Sequence, residues 1–551
     1  MAQGFVHPGV NSMSVVCIGV ALMLGGCGDG GADPDTGSQV HTAQTAKCVP
    51  LDKSAIPANA IGLPTRGAVV TSATLEAASA TKGTPEFCKI LGSVAATNPA
   101  DPPINFEVNM PTAWNLKSLQ YGGGGLNGTL ITGLTQFTHG PAAGPTPLSL
   151  GYVTFGSDSG HQASPLDGTF GMNAQALANY SGESVKRTHD AAAAVIQAYY
   201  GRASRRMYHI GGSKGGHEGL AAAQRYAADY DGVVAYYPAG QNPLLVLSWY
   251  RMWKASYGTP GGDLSNAKQQ LLKARVLAAC DKLDGAEDGI VSNTGACKAS
   301  FDIQALRCSG GGDDGDTCLS DTQISTLKTA DSTMELDYPM ANGYRSVGPY
   351  PVFLAADLVG NLFDNPAFPI PLGYGKANGY FYLPDPVIRM WYVQDPASSF
   401  VNFDYRLHQP RIQQISQAYD SSSPDLDRFK ARAGKLILVQ GTTDMQVPEG
   451  ATTAYYQALT KRYASATGDF VRYYVQPGFG HAGGDFSMTW DSLAALDKWV
   501  ETGSAPAAPI ATDVNAKSAG RTRPLCEYPL FPRYSGTGSI NAAASFSCNA
   551  N

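Results

Sequence analysis

The sequence predicts an α/β protein carrying one large insertion, and three observations support this. Short apolar strands alternate with helical stretches toward both ends of the chain. The stretch from about Ala239 to Ala433 drops that rhythm and becomes rich in Trp, Tyr, Pro and Gly. A serine framed by glycines stands where an apolar strand gives way to an Ala-rich helix. Strands alternating with helices argue for a parallel sheet covered on both faces. At 551 residues the chain exceeds the ~250–300 at which single cores stop growing, so a core plus a second domain or insertion is expected. With 43% hydrophobic residues it is globular rather than disordered. A net charge of −6 argues against a dedicated nucleic-acid binder.

At the N-terminus, Ser14 to Gly26 form an apolar run too short for the ~20 residues of a spanning helix, and no later run is long enough either. The run suits a signal peptide over residues 1–27. Its end, Leu24-Gly25-Gly26-Cys27, resembles the lipobox of bacterial lipoproteins, which implies a lipid anchor on Cys27. No Lys or Arg precedes the run, and ordinary cleavage nearby is the alternative. Residues 28–46 are Gly/Asp/Thr/Ser-rich and read as a flexible tether. Beyond Cys17 and Cys27 an even set remains: Cys48, Cys88, Cys280, Cys297, Cys308, Cys318, Cys526 and Cys548. In an exported chain such a set implies disulfides, and pairing of sequence neighbours is the expected connectivity. No CxxC pair supports a zinc or thioredoxin-like reading.

Residues 47–238 and 434–551 are expected to form the catalytic domain. Asn105 to Met110 alternates as a strand, and Trp114 to Tyr121 leads a second strand into a glycine cluster. Ala191 to Tyr200 is helical, Met207 to Ile210 is a strand, His217 to Tyr226 is a helix, and Asp231 to Tyr236 is a strand. After residues 239–433, Lys435 to Val439 is a buried strand and Ala451 to Tyr463 a helix. Val471 to Val475 is a strand, and Ser487 to Glu501 a helix.

The sharpest motif is His209-Ile210-Gly211-Gly212-Ser213-Lys214-Gly215-Gly216-His217-Glu218-Gly219. Gly-x-Ser-x-Gly alone is weak in so glycine-rich a chain, but strand before and helix after make it a nucleophile elbow. A serine nucleophile needs an imidazole base oriented by a carboxylate. In an α/β-hydrolase core the acid and the histidine follow the serine in that order. Asp444, in Gln440-Gly441-Thr442-Thr443-Asp444, and His481, in Pro477-Gly478-Phe479-Gly480-His481, each lie just past a strand's C-terminal end. His139, His161, His189, His209, His217 and His408 read as surface or structural residues, His217 as a surface one. For the oxyanion, the N–H of Lys214 and those of Gly123 and Gly124 in the Tyr121 to Gly128 run are the expected donors. The interval from Ser213 to Asp444 far exceeds the ~60–100 residues that two or three β/α units need. The fold expected is therefore an α/β-hydrolase core with a large inserted lid domain over residues 239–433.

Between Cys280 and Cys297, Asp281-Lys282-Leu283-Asp284-Gly285-Ala286-Glu287-Asp288-Gly289-Ile290 concentrates carboxylates and glycines. Oxygen-rich, tightly turned loops of this kind bind Ca²⁺, and a solvated acidic turn is the alternative. Asp313-Asp314-Gly315-Asp316 reads as plain loop.

Taken together, the GGSKGGHEG elbow, CDKLDGAEDGI, GTTD, PGFGHAGG and the tail from Arg521 to Tyr534 resemble the tannase/feruloyl esterase family, including its mono(2-hydroxyethyl) terephthalate hydrolase members. The resemblance runs from about Cys48 to Cys548. It implies ester hydrolysis by Ser213, Asp444 and His481, and a structural Ca²⁺ in the lid. The calcium ligands it implies are Asp281, Asp284 and Asp288, with backbone oxygens of Ala286 and Ile290. One departure stands out: the family's cysteine pair beside the catalytic Ser and His is replaced by Gly212 and Ala482. A more mobile site is the expected consequence. The expected substrate is a small ester of an aromatic acid, of galloyl, feruloyl or terephthalate-monoester type. Arg389, Arg406 and Arg411 are candidates for pairing with an acyl-side carboxylate, surface salt bridges being the plainer reading. A polymer- or aliphatic-ester-active esterase or an acyltransferase on the same triad is the alternative, and a non-catalytic binding protein a more distant one.

Overall fold

The computed structural model describes residues 46–358 and 379–550. The expectations for the signal peptide, Cys27 and nearly all of the tether lie outside those residues. Eleven strands form the main sheet: β1 (Ala55–Ile56), β2 (Ala68–Glu76), β3 (Phe87–Val94), β4 (Ile104–Pro111), β5 (Lys117–Tyr121), β6 (Val153–Ser157), β7 (Arg206–Gly212), β8 (Gly232–Tyr236), β9 (Lys435–Gly441), β10 (Val471–Gln476) and β11 (Cys526–Glu527). Their spatial order is β1-β2-β3-β4-β6-β5-β7-β8-β9-β10-β11.

The expectation of a parallel sheet is corrected in part. Neighbours from β6 through β10 pair in parallel. β1 to β4, the β4–β6 pair and β11 are antiparallel, which makes the sheet mixed. The two classes differ in side-chain pattern. β9 is buried on both faces, with Leu436, Ile437, Leu438 and Val439 fully enclosed. Its alternate residues point into different cores: Leu436 and Leu438 pack with Val195, Ala222 and Tyr455, whereas Ile437 and Val439 pack with Leu496 and Trp499. Such strands read as continuous apolar runs, while half-solvated antiparallel strands alternate.

Eight longer helices follow: α1 (Ser184–Tyr200), α2 (Lys214–Arg225), α3 (Asn242–Ser256), α4 (Asn266–Cys280), α5 (Asp321–Ala330), α6 (Gln409–Tyr419), α7 (Glu449–Tyr463) and α8 (Ser492–Thr502). The helix expected from Ser487 begins later. Met488–Thr489 instead pairs with Thr512 and Asp513 as a short strand. The Asp491 carboxylate then caps α8 by accepting the Ala494 N–H at 3.0 Å.

Between β8 and β9 the described chain adds α3 to α6 and one two-stranded pair, Met334–Glu335 with Ser346–Val347, and no strand to the main sheet. Leu244, Val276, Leu327 and Trp391 of this insertion share one hydrophobic cluster with Ile437 and Val439 of β9. Disulfides join Cys48 to Cys88, Cys280 to Cys297, Cys308 to Cys318 and Cys526 to Cys548. Among the described residues no helix is long and apolar enough to cross a membrane.

Candidate active site

Ser213 occupies the single residue between β7 and α2, with φ 56° and ψ −117°. That conformation is costly for a residue with a Cβ and persists where its surroundings enforce it. Its N–H donates to the Tyr236 carbonyl at 3.0 Å, and its own carbonyl accepts from His217 and Ala239 at 3.0 Å each. The turn can be this tight because the glycine loop after β5 meets it backbone to backbone. A Cβ on Gly122 would stand 2.6 Å from Gly215 Cα, and one on Gly215 would stand 2.7 Å from the Gly123 carbonyl oxygen.

Asp444 and His481 come together past the ends of β9 and β10. The Asp444 carboxylate is fully buried. Its Oδ1 accepts the N–H groups of Gln446 and Val447 at 2.8 and 2.9 Å. His481 Nδ1 lies 2.9 Å from Asp444 Oδ2 and 3.1 Å from Oδ1. A neutral imidazole so held donates from Nδ1 and presents Nε2 as a base. Ser213 and His481 line the same cavity of about 370 Å³. Tyr180, Tyr237, Trp249, Val387 and Tyr419 give it aromatic and apolar walls. Asn242 also lines it, and its Oδ1 is buried with no hydrogen-bond partner among the described residues.

The expectation for the oxyanion donors is corrected at Gly123. Its N–H is already donated to Glu218 Oε2 at 2.9 Å. Gly124 and the backbone of Lys214, the first residue of α2, both border the cavity, and Gly124 faces open space. The Lys214 side chain turns away from solvent. Its Nζ lies 2.9 Å from His217 Nδ1, 3.3 Å from Glu218 Oε1 and 4.4 Å from the Tyr180 ring centroid. Burial pushes this ammonium down to about 8, against the opposing pull of Glu218. His217 is a second correction: it is fully buried rather than a surface residue, and its Nε2 meets the Tyr419 carbonyl at 2.7 Å.

Two neighbours of the site carried no sequence signal of their own. Tyr237, just past β8, has its ring 4.5 Å from that of His481. Its hydroxyl is 2.7 Å from His139 Nε2. Burial pushes His139 down to about 4. Of the lid arginines, Arg389 pairs with Asp385 and Arg406 with Asp337. Arg411 donates to the Trp391 carbonyl. None of the three lines the cavity.

The acidic loop follows α4. Asp281 Oδ1 accepts from the N–H groups of Asp288 and Gly289, and Asp284 Oδ1 from that of Ala286. The Asp288 carboxylate accepts from the Ile290 N–H and pairs with Arg523. Asp284 Oδ2 is buried with no hydrogen-bond partner among the described residues. Burial pushes Asp284 up to about 6, and the charges of Asp288 and Asp281 add to the rise. The buried, unsatisfied Asp284 oxygen is a ligand that suits a hard cation, while Asp281 and Asp288 are engaged by backbone N–H groups and Arg523. Asp313 is accounted for otherwise, by Lys268 at 2.7 Å.

The chain matches the Tannase and feruloyl esterase family over residues 88–549. It is 37% identical to an uncharacterized esterase of Agrobacterium fabrum over 91% of this chain and 92% of that one. It is 32% identical to the mono(2-hydroxyethyl) terephthalate hydrolase of Piscinibacter sakaiensis over 85% of each. The crystal structure of feruloyl esterase B from Aspergillus oryzae superposes with a TM-score of 0.74, covering 92% of this chain and 100% of that one at 20% identity, which is a likeness of fold. The α/β-hydrolase fold, the elbow and the family match together make this chain a carboxylic-ester hydrolase of the tannase and feruloyl esterase family.

Proposed function

We propose that the protein hydrolyses esters of aromatic acids through Ser213, His481 and Asp444. One observation carries the reading: the elbow serine and an imidazole fixed by a buried aspartate open onto the same aromatic-walled cavity. Ser213 Oγ attacks the ester carbonyl while His481 Nε2 takes its proton, and Asp444 stabilises the resulting imidazolium. The N–H groups of Lys214 and Gly124 receive the oxyanion. His481 then returns the proton to the leaving alkoxide, and water, deprotonated by the same nitrogen, cleaves the acyl-enzyme.

The acyl ring packs against Tyr180, Trp249 and Tyr419, with the unpartnered Asn242 Oδ1 available to a ring hydroxyl. The described insertion residues, 239–358 and 379–433, form the lid that completes these walls. Asp281, Asp284 and Asp288, with the carbonyls of Ala286 and Ile290, hold a structural Ca²⁺. When bound, the ion offsets the mutual repulsion of the three carboxylates. Four disulfides support export of the mature chain, with Cys27 as its lipid attachment point.

The test is turnover by the mature chain on galloyl, feruloyl, mono(2-hydroxyethyl) terephthalate and short aliphatic esters, beside Ser213→Ala. Aromatic-selective hydrolysis lost in the variant is the expected result. Equal turnover of aliphatic esters, or activity surviving in Ser213→Ala, overturns the reading.

A further inference from the structure

The space beside Gly212, the residue before the nucleophile, belongs to Tyr237. A Cβ on Gly212 would lie 2.8 Å from Tyr237 Oη and 2.9 Å from two of its ring carbons, closer than real Cβ atoms come. The other side of the same tyrosine meets the base: its ring centroid is 4.5 Å from that of His481, inclined at 51°. One side chain thus touches both the strand end that carries Ser213 and the imidazole that serves it.

Tyr237 is held in place from two directions. Its N–H donates to the Val439 carbonyl at 2.7 Å, which ties it to β9. Its hydroxyl meets His139 Nε2 at 2.7 Å. His139 is itself packed edge-on to Phe479, 4.9 Å between centroids, and its carbonyl accepts the Trp490 N–H at 3.0 Å. Phe479 lies two residues before His481, so the tether returns to the loop that bears the base. The arrangement also stores backbone strain. Tyr237 has φ 31°, His139 φ 56°, Ser213 φ 56° and Ala482 φ 66°, all without being glycine. Residues with a Cβ are costly in that region and persist only where packing over-determines them.

We propose that Tyr237, anchored by His139, is a positioning residue that sets the distance between the Ser213 elbow and the His481 imidazole. The inference rests on the function proposed above. Tyr237 neither donates to nor accepts from the reacting atoms. It acts through Gly212 and His481, filling by noncovalent packing the gap between two loops that carry the reaction. The requirement for glycine at 212 follows directly, because any larger residue displaces the ring.

The experiment measures kcat and KM for the wild type, Ser213→Ala, Tyr237→Phe, Tyr237→Ala, Gly212→Ala and the Gly212→Ala/Tyr237→Ala double variant. Each is assayed well below its own Tm, on an ester that the wild type cleaves. Tyr237→Ala is expected to lower kcat by about tenfold or more, with KM changed by less than about threefold, since misplacement of a catalytic group costs rate rather than binding. Tyr237→Phe keeps the ring and recovers most of that loss. Gly212→Ala lowers kcat comparably, and in the Tyr237→Ala background it adds nothing, because the clash is gone. Unchanged kcat in Tyr237→Ala with only a lower Tm overturns the inference, as do additive losses in the double variant. If Tyr237→Ala does not fold, Tyr237→Leu takes its place in the cycle. A wild-type chain inert toward every ester overturns both readings. An active wild type with a dead Ser213→Ala and a fully active Tyr237→Ala overturns this one alone.

Discussion

Glu218 Oε2 accepts the Gly123 N–H at 2.9 Å, so the helix that begins just after Ser213 also grips the glycine loop that faces it. The other carboxylate oxygen takes the Asn127 side-chain amide at 2.8 Å and faces Lys214 Nζ at 3.3 Å. The Glu218, Asn127 and Lys214 side chains are buried, and Gly123 is half-buried. Burial alone would raise Glu218, but Lys214 and the two donors bring it below its ordinary value.

Removing that carboxylate leaves the Lys214 ammonium without its counter-charge. Glu218→Gln is expected to destabilise the fold by about 3–5 kcal/mol at neutral pH. Pairing it with Lys214→Met should recover much of the loss, since no isolated charge then stays buried. Urea denaturation of the single and double variants measures both effects. A double variant no more stable than Glu218→Gln contradicts the pairing.

Asp444→Asn keeps the size of the side chain but reverses the tautomer that His481 can hold. The expected outcome is a fall in kcat of about 10⁴-fold with the cavity intact. Steady-state kinetics on an ester cleaved by the wild type measure it. A fall smaller than tenfold would show that another group orients the imidazole.

The proposed calcium site at the acidic loop has a readout in stability. At a free concentration of a hundred times Kd, a cation that binds only the folded chain adds about 2.7 kcal/mol. Chelator-treated protein should therefore melt lower, and calcium should restore the transition. Asp284→Ala should lose the calcium-dependent part of the shift. A melting curve indifferent to chelator and calcium in the wild type counts against the site.

His209, fully buried on β7, has no hydrogen-bond partner at either ring nitrogen among the described residues. Burial, helped by the charge of Lys214, pushes it from 6.5 to about 4. Between those two values the unfolded chain binds a proton that the folded chain refuses. Stability is therefore full above pH 6.5 and falls as the pH drops toward 4, by about 3 kcal/mol from this group. His139 adds a slope in the same direction. His209→Leu should flatten the pH dependence by its share, read from urea midpoints at pH 7 and pH 4.5. A slope identical to that of the wild type contradicts the assignment.

What could be read from the sequence follows what is local in the chain. The elbow was legible because strand, glycines, serine and helix are contiguous from Arg206 to Arg225. Asp444 and His481 were legible because each follows an apolar strand, β9 or β10, directly. The antiparallel edge was missed although its signal is present: β3 reads Phe-Cys-Lys-Ile-Leu-Gly-Ser-Val and mostly alternates between buried and half-buried positions. Tyr237 and His139 are 98 positions apart, and no spacing rule brings them together. The role of Gly123 was misjudged for the same reason, since its partner Glu218 is 95 positions further along the chain.

The covalent map of the chain has a mechanical reading. Each disulfide closes a circuit within its own neighbourhood, with sequence separations from 10 to 40. Two lie inside the insertion, one staples the first part of the chain to β3 and one folds back the C-terminal tail. Among the described residues none crosses from insertion to sheet. The roof over the cavity is therefore stiffened internally and joined to the rest of the fold without a covalent cross-link, by packing, its two chain crossings and polar contacts such as Trp249 to the Gln446 carbonyl, Trp391 to the Gly168 carbonyl and Lys273 to Asp485. Any displacement of that roof has to give up these polar contacts as well as the packing, while every covalent cross-link stays intact.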